Sequence, residues 1–498
     1  MTEPHEQANL ELKVTDFGPI AKAEVDLRPL TVFVGPSNTG KSYLAILIYA
    51  LHRYFSEVTR PSRRYYRPYG TPRADSRNVR ARKAVDALVK AVEQSTRDAK
   101  LSDLLPAEVV DFIRSRFDAL KRGHEIGNEI ARCFGIGELT ALVRKGCSQG
   151  VIVMRRHFSN HSKPAVHKLV LKSQGAEFTT KMPEGTAIRI DAEDEFKVEH
   201  VSDSVHEHGD SFAWQLMEIV RDSDLRQATG PLHLPAFYLP ADRTGVMHAH
   251  GSIVSAVIGN APMTGLRPPT RTPMLSGVVA DFLRQLIEFD NPQHQRSKPR
   301  RELEKDIEEN ILGGSVNVDR SELIGYPRFT YRPEGWKDTL PLINASSMVS
   351  EIAPIVLYLR HVVVPGSVLI IEEPESHLHP AMQVEFTRQL AAIVRSGVRL
   401  IVTTHSEWVL EELANTVQRS ALSATRRKEI AGTNVALSPD DVGAWLFKQK
   451  SYPEGSIVEE VKLDEEIGLY PTDYDAVSEA LYNENAKIYN HVQDRGVE

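Results

Sequence analysis

The first regular pattern in the chain is an alternation over residues 10–34, LELKVTDFGPIAKAEVDLRPLTVFV. Leu10, Leu12 and Val14 fall on one face with polar residues between them, the period of a half-buried strand. A Phe17-Gly18-Pro19-Ile20 turn separates this strand from a second at 23–27, and a wholly apolar third follows at 30–34. Residues 43–51 then form an apolar stretch of helical character. Helical spacing dominates 84–145, first at Ala84, Ala87, Leu88, Ala91 and Val92, then at Val109, Val110, Ile113 and Phe117. Strand character returns over 149–201 in VIVMRRHF, HKLVLKS, EFTTK and TAIRI. AFYLPADRTG at 236–245 reads as a strand followed by a loop, with helices near 246–260 and 275–289. A basic linker at 293–305 runs into a helix, and GGSVNV, RFTYRP and TLPLIN are short strands separated by Gly or Pro. LINASSMVSEIAPIVLYL at 342–359 passes from a strand through small polar residues into an apolar helix. Two further apolar strands, 368–371 and 400–403, precede a closing strand set and a last helix.

Strands alternating with helices predict an α/β protein. At 498 residues there is room for two or three lobes at roughly 100–200 residues each. The pattern divides the chain into 1–52, 53–234, 235–450 and 451–498, the last a helical tail. An apolar content of 41% supports a true core, while no run approaches the ~18 residues of a membrane helix. The polar start MTEPHEQANLELK lacks the apolar centre of a secretory leader. Cys133 and Cys147 are too few for a disulfide scaffold or a four-thiolate zinc site. The expectation is a soluble protein of the reducing cytoplasm with no membrane partner. A net charge of −7 excludes a generally basic nucleic-acid binder, so any such contact needs a local patch.

The chemistry begins where the third strand ends. Gly35–Ser42 reads GPSNTGKS, which fits G-x-x-x-x-G-K-[ST] between a strand and a helix, the context of a phosphate loop. Backbone N–H groups and the following helix start can surround a β-phosphate, and Lys41 can neutralise β/γ oxygens. The Ser42 hydroxyl can ligate Mg²⁺. Gly35 and Gly40 permit positive φ and close backbone approach. The nucleotide site is expected at Gly35, Pro36, Ser37, Asn38, Thr39, Gly40, Lys41, Ser42 and Tyr43.

GSVLIIEEPESHLHP at 366–380 supplies the second half. Paired acids alone are a weak signal, but here an apolar strand ends in Glu372-Glu373 and a phosphate loop exists. This is a Walker B pattern: Glu372 would serve Mg²⁺, through water given its extra methylene over Asp, and Glu373 would be the catalytic base. The strand RLIVTTHS at 399–406 ends at His405, placed to bond a γ-phosphate or the attacking water; the competing reading is a solvated strand-end histidine. Ser346 and Ser347 open the apolar helix near 347 and offer an anion site, against the simpler reading of an ordinary cap. Asp242 and Arg243 stand at a strand end and are expected to sense the γ-phosphate. His206/His208 and His248/His250 lack a convincing set of metal co-ligands and read as surface or core histidines.

One composition shift stands apart. Residues 53–83 hold nine Arg and one Lys against Glu57 and Asp75, with Tyr54, Tyr65, Tyr66 and Tyr69 among them. Arg60, Arg63, Arg64, Arg67, Arg73, Arg77, Arg80 and Arg82 could bind DNA or RNA phosphates while the rings stack on bases. A solvated, partly disordered loop or a docking surface for an acidic partner is the simpler explanation of the composition.

The phosphate loop, the Ser-rich helix start, EEPESHLHP and TTHS, in that order, resemble the heads of ABC-type ATPases. The set is most similar to the OLD-like ATPases (AAA_15/AAA_21), which are related to RecF and SMC heads. FGPI at 17–20, SSMVSE at 346–351 and YLPADR at 238–243 carry the resemblance further, which spans roughly 1–52 and 235–450. It implies an α/β fold: an ABC-type P-loop ATPase head with an N-terminal antiparallel side sheet and a large α+β insertion. It also implies ATP and Mg²⁺ sandwiched in a homodimer or higher oligomer. Each ATP would touch one subunit's phosphate loop and the other's Ser346/Ser347 helix, with a D-loop at 375–379 and His405 as the switch. The helix start lacks the usual Gly-Gly. No Toprim-like acidic metal cluster follows His405, and Asp464, Glu465 and Glu466 read as a solvated run. A nuclease would therefore be a separate polypeptide, and the chain resembles the ATPase subunits of bacterial anti-phage systems that pair with a Toprim or HNH effector.

The expected enzyme is a slow ATPase acting as a dimeric switch or scaffold for such an effector. Two alternatives stand beside it: a RecF-like DNA-repair ATPase, and a scaffold that holds ATP without turnover. The absence of an N-K-x-D signature speaks against a GTPase, about 330 residues between phosphate loop and Walker B against a ring motor, and the large insertion against a transporter head.

Overall fold

A computed structural model describes residues 9–59, 83, 87, 90, 123–158, 161–173, 175–181, 230–260, 275–289, 298–320, 327–450, 454–462, 469 and 472–495. Several expectations lie outside the described residues: the helical spacing at 109–117, the TAIRI strand, His206, His208, the arginines from Arg60 to Arg82, Tyr65, Tyr66, Tyr69, Asp464, Glu465 and Glu466. In chain order the strands are β1 (Leu10–Phe17), β2 (Ile20–Leu27), β3 (Leu30–Val34), β4 (Gly150–Phe158), β5 (His161–Lys172), β6 (Gly175–Lys181), β7 (Ala236–Leu239), β8 (Gly314–Arg320), β9 (Pro327–Pro333), β10 (Leu340–Pro341), β11 (Val368–Glu372), β12 (Arg399–Thr404), β13 (Val442–Gln449) and β14 (Ser456–Val461). The helices are α1 (Lys41–Thr59), α2 (Gly123–Phe134), α3 (Arg243–Asn260), α4 (Gly277–Glu288), α5 (Lys298–Ile307), α6 (Ser347–His361), α7 (Pro380–Arg395), α8 (Glu407–Gln418), α9 (Ala424–Ala431) and α10 (Thr472–Arg495).

The chain forms two compact units, residues 1–18 with 46–236 and residues 19–45 with 237–498. This differs from the expected boundaries in three places, the first being that residues 46–52 of α1 group with the first unit. β1 groups with the 53–234 segment because it pairs antiparallel with β4, Leu10 opposite Arg156 through Thr15 opposite Val151. β14 falls within the segment expected to be a helical tail, yet it pairs antiparallel with β13 and so belongs to the sheet of the second unit.

The first unit contains an antiparallel run in the order β6-β5-β4-β1. Helix α2 lies so close to β6 that a Cβ on Gly123 would stand 2.4 Å from the Ala176 carbonyl oxygen. Phe55, His167 and Phe178 form an aromatic cluster, with the His167 and Phe178 rings stacked at 5.9 Å. Arg53 pairs with Glu129 at 2.9 Å, and Tyr54 is buried against Phe55. Arg53 and Tyr54, which composition groups with the arginine-rich stretch, therefore pack within this unit, Tyr54 buried and Arg53 half-buried.

In the second unit the strand order is β2-β14-β13-β3-β12-β11-β7. β13, β3, β12 and β11 are mutually parallel where they adjoin. Every residue of β3, β11 and β12 is buried. A parallel strand covered on both faces is predominantly apolar, which is why the centres of these three read as continuous apolar runs, with buried polar residues such as Thr31, Arg399 and Glu372 among or beside them. Helix α6 supplies much of the cover: it is buried without interruption from Val349 to Leu359, despite Pro354 in its interior. A separate antiparallel sheet, β10-β9-β8, is tied to α6 by Arg360, which donates to the Val316 carbonyl and pairs with Glu304 and Glu308. Among the described residues no helix is long and apolar enough to cross a membrane.

Candidate functional site

The register of the parallel strands assembles the site. Val34 pairs with Thr404, and Thr403 with Glu372. Gly35, His405 and Glu373 are thus the next residues beyond the carboxyl ends of three adjacent strands. Ligands of open parallel sheets bind at that edge, where loops leave the strands together.

Gly35 has φ 131°, and a Cβ there would stand 2.5 Å from the Phe447 carbonyl oxygen at the neighbouring β13. Gly40 has φ 104°, and a Cβ there would meet the Ile20 side chain at 2.7 Å. Glycine is therefore required at both positions for conformation and for space. Asn38 at the loop's crest also has positive φ, at 63°. The Thr39 hydroxyl donates to the Pro36 carbonyl at 2.8 Å and braces the turn. Lys41 opens α1, and its ammonium group donates to the carbonyls of Gly35 and Pro36, both at 2.8 Å. Burial lowers the Lys41 pKa to about 8, although Glu373, Glu375 and Glu372 act in the opposite sense. Ser42 and Tyr43 are exposed beside it.

Glu372 ends β11 buried, its Oε2 accepting the Ala241 N–H at 3.1 Å. Glu373 has φ 42°, a strained conformation for a side chain with a Cβ, costing ~1–3 kcal/mol. Its N–H donates to the Thr403 carbonyl at 2.9 Å and hydroxyl at 3.2 Å. Its Oε1 lies 3.4 Å from His405 Nε2. That hydrogen bond holds the Glu373 carboxyl below the usual carboxylate range, with burial working against it. The expected base and the expected switch histidine are therefore brought together, and both remain partly open to solvent. Among the described residues four non-glycine positions have positive φ, and three of them, Asn38, Glu373 and His377, belong to these loops. Strain of this kind persists only where the surroundings hold it in place.

Arg243 holds it, and this corrects the expectation that it senses a γ-phosphate. The side chain is completely buried. It donates to the carbonyls of Glu372 at 2.6 Å, Glu373 at 3.2 Å, Pro240 at 3.2 Å and Glu351 at 3.1 Å, and pairs with the Glu351 carboxylate at 2.8 Å. With its donors engaged inside the protein it cannot reach a phosphate; it fixes the end of β11 to α6. Asp242 is exposed at the adjoining turn. Nothing in the local sequence distinguishes a buried from a ligand-facing arginine at a strand end.

Ser346 is the N-cap of α6, accepting the Val349 N–H at 3.3 Å, and both Ser346 and Ser347 are exposed. The helix start is thus an ordinary cap and also open to a partner molecule. His248 bonds Ser350, and His250 bonds the carbonyls of Met247 and Pro327, so both are structural.

The donor types suit a magnesium nucleotide. The Ser42 hydroxyl and the Glu372 carboxylate are hard oxygen donors. Among the described residues no three His, Cys, Asp or Glu side chains gather into a metal cage. Mg²⁺ completes its shell with water and phosphate oxygens rather than an all-protein cage, so so small a donor set fits it.

Residues 267–411 match the family model AAA_21, described as "AAA domain, putative AbiEii toxin, Type IV TA system". The matched stretch contains Ser346, Glu372, Glu373 and His405 and leaves out the phosphate loop. No curated protein matches the chain. Among solved structures it is similar to an SMC head bound to the C-terminal winged-helix domain of ScpA, at 10% identity and TM-score 0.38, covering 92% of this chain and 98% of that one. The SMC head domain from Thermotoga maritima is similar at 13% identity and TM-score 0.33, covering 91% and 99%. The recombination mediator protein RecF is similar at 9% identity and TM-score 0.35, covering 92% and 100%.

Proposed function

We propose that this chain binds MgATP and hydrolyses it to ADP and phosphate. The observation that carries the reading is the convergence of Lys41, Glu373 and His405 at the carboxyl edge of three adjoining parallel strands. On nucleotide binding, the Lys41 ammonium exchanges its two carbonyl acceptors for phosphate oxygens, and loop N–H groups within 37–42 face the same charge. Ser42 and Glu372 would hold Mg²⁺, which supplies charge neutralisation on the phosphates. A water aligned by Glu373 and His405 attacks the γ-phosphorus; the bond to the β-phosphate oxygen breaks, and Glu373 takes the proton of the water.

Two copies of the chain would close face to face, the exposed Ser346/Ser347 helix start of one completing the nucleotide site of the other. In this reading the ATPase is of the ABC type and slow, and its nucleotide state controls a separate effector in phage defence. The OLD-like motif order supports that role, as does the matched family's description, which names a toxin–antitoxin system. Arg60 to Arg82 remain the proposed nucleic-acid contact. The test is equilibrium binding of a fluorescent ATP analogue with Mg²⁺, with particle mass measured alongside. Wild type should bind and Glu373→Gln with ATP should double in mass, while Lys41→Ala should do neither. No binding by wild type would overturn the reading.

A further inference from the structure

The loop after β11 carries another acid that the steps above do not use. Glu375 Oε1 accepts two hydrogen bonds, from the Thr404 hydroxyl at 2.7 Å and from the His405 N–H at 2.8 Å. The Thr404 hydroxyl in turn accepts the Ser406 N–H at 3.0 Å. Ser406 caps α8 through Val409 and donates to Gln383 at 2.5 Å. The backbone is therefore held before, at and after His405, and one carboxylate oxygen makes the central two bonds. The other oxygen, Oε2, is buried without a hydrogen-bond partner among the described residues. Burial pushes the Glu375 carboxyl up, against the two hydrogen bonds. Leaving a polar atom so placed is costly, so the local packing alone does not account for an acid here.

We propose that Glu375 is a positioning residue for hydrolysis. By holding the Thr404 hydroxyl and the His405 N–H together, it sets the His405 imidazole against Glu373 and so aims the carboxylate that takes the proton of the attacking water. This rests on the reading of the chain as an ATPase. It differs from a role in nucleotide binding, because neither bond of Glu375 reaches the phosphate loop.

The experiment compares full-length Glu375→Leu and Glu375→Gln with wild type, reading kcat and KM for ATP together with the Kd of a non-hydrolysable ATP analogue. Glu375→Leu should lose about 10- to 100-fold in kcat, the cost of a misplaced catalytic group. KM and Kd should stay within about twofold, since no ground-state contact is removed. Glu375→Gln keeps an oxygen acceptor for both bonds and should restore kcat to within about threefold of wild type. Should Glu375→Leu not fold, Thr404→Val deletes one of the two donors and must itself lower kcat with Kd unchanged. Unimpaired kcat in Glu375→Leu or Thr404→Val, parallel loss of Kd and kcat, or a Gln variant as slow as the Leu variant would each overturn the assignment. A wild type that binds and turns over no ATP overturns the ATPase reading itself, a distinguishable result.

Discussion

Replacing Arg243 by Met tests whether the loop at Glu372 and Glu373 is held from inside. Methionine has a similar reach but neither charge nor donors. The substitution leaves the Glu351 carboxylate, 4% exposed, without its cation. It also removes a donor from the carbonyls of Pro240, Glu351, Glu372 and Glu373. Breaking a buried ion pair from one side costs ~3–5 kcal/mol, because the remaining charge stays desolvated. Each stranded acceptor adds up to ~1–3 kcal/mol, though such terms overlap and do not sum. A loss of at least ~3 kcal/mol is a large part of the ~5–15 kcal/mol that holds a domain folded. Urea unfolding followed by tryptophan fluorescence should show it, since Trp408 and Trp445 lie in the same unit. Adding Glu351→Gln removes the stranded charge and should recover ~1–3 kcal/mol, the size of coupling measured between contacting residues. An Arg243→Met midpoint within ~1 kcal/mol of wild type, or a double variant no better than the single, would refute this role; 1 kcal/mol is the scale of ordinary surface changes. A phosphate-sensing arginine would give the opposite signature, weaker nucleotide binding with unchanged unfolding.

Other outcomes follow from the same geometry. The Lys41 ammonium is the phosphate-binding form, and its pKa near 8 means that deprotonation competes with nucleotide above that pH. Affinity should be nearly flat below pH 7 and about tenfold weaker at pH 9, with proton uptake at pH 8 detectable by calorimetry in buffers of different ionisation enthalpy. Lys41→Arg, charged throughout, should abolish that dependence whatever its affinity. The acid limb of turnover should lie below the ordinary glutamate range, since the hydrogen bond from His405 holds Glu373 ionised there; His405→Ala should move that limb to higher pH in a kcat profile. Gly35→Ala forces a Cβ to 2.5 Å from the Phe447 carbonyl oxygen and should abolish nucleotide binding while lowering the thermal midpoint.

The readability of this chain from its sequence differs from place to place for physical reasons. β3, β11 and β12 are legible because strands buried on both faces are predominantly apolar, and each leads directly into one of the loops that carry Gly35, Glu373 and His405. Gly35 and Gly40 were legible because few residues other than glycine fit their φ and spacing. The partnership of β1 with β4 was not, since strands far apart in sequence pair through register that no local pattern encodes. The closing strand set is legible in VGAWLF and GSIVEE, but the insertion of β14 between β13 and β2, which ties the chain's end to the central sheet, is again a matter of register that no local pattern encodes. Arg243 reads from sequence as a ligand contact, and Glu375 only as the start of a D-loop, because burial converts a charged residue from a ligand contact into a brace, and burial is a property of the assembled fold.

The most direct test of the central claim is phosphate release from ATP by the purified full-length chain, measured for wild type and Glu373→Gln under conditions where both are saturated with MgATP. Wild type should turn ATP over, and Glu373→Gln should retain nucleotide with a rate lowered by about 10²–10⁴, the usual contribution of a general base. Equal rates in the two proteins, or no turnover by saturated wild type, would contradict it.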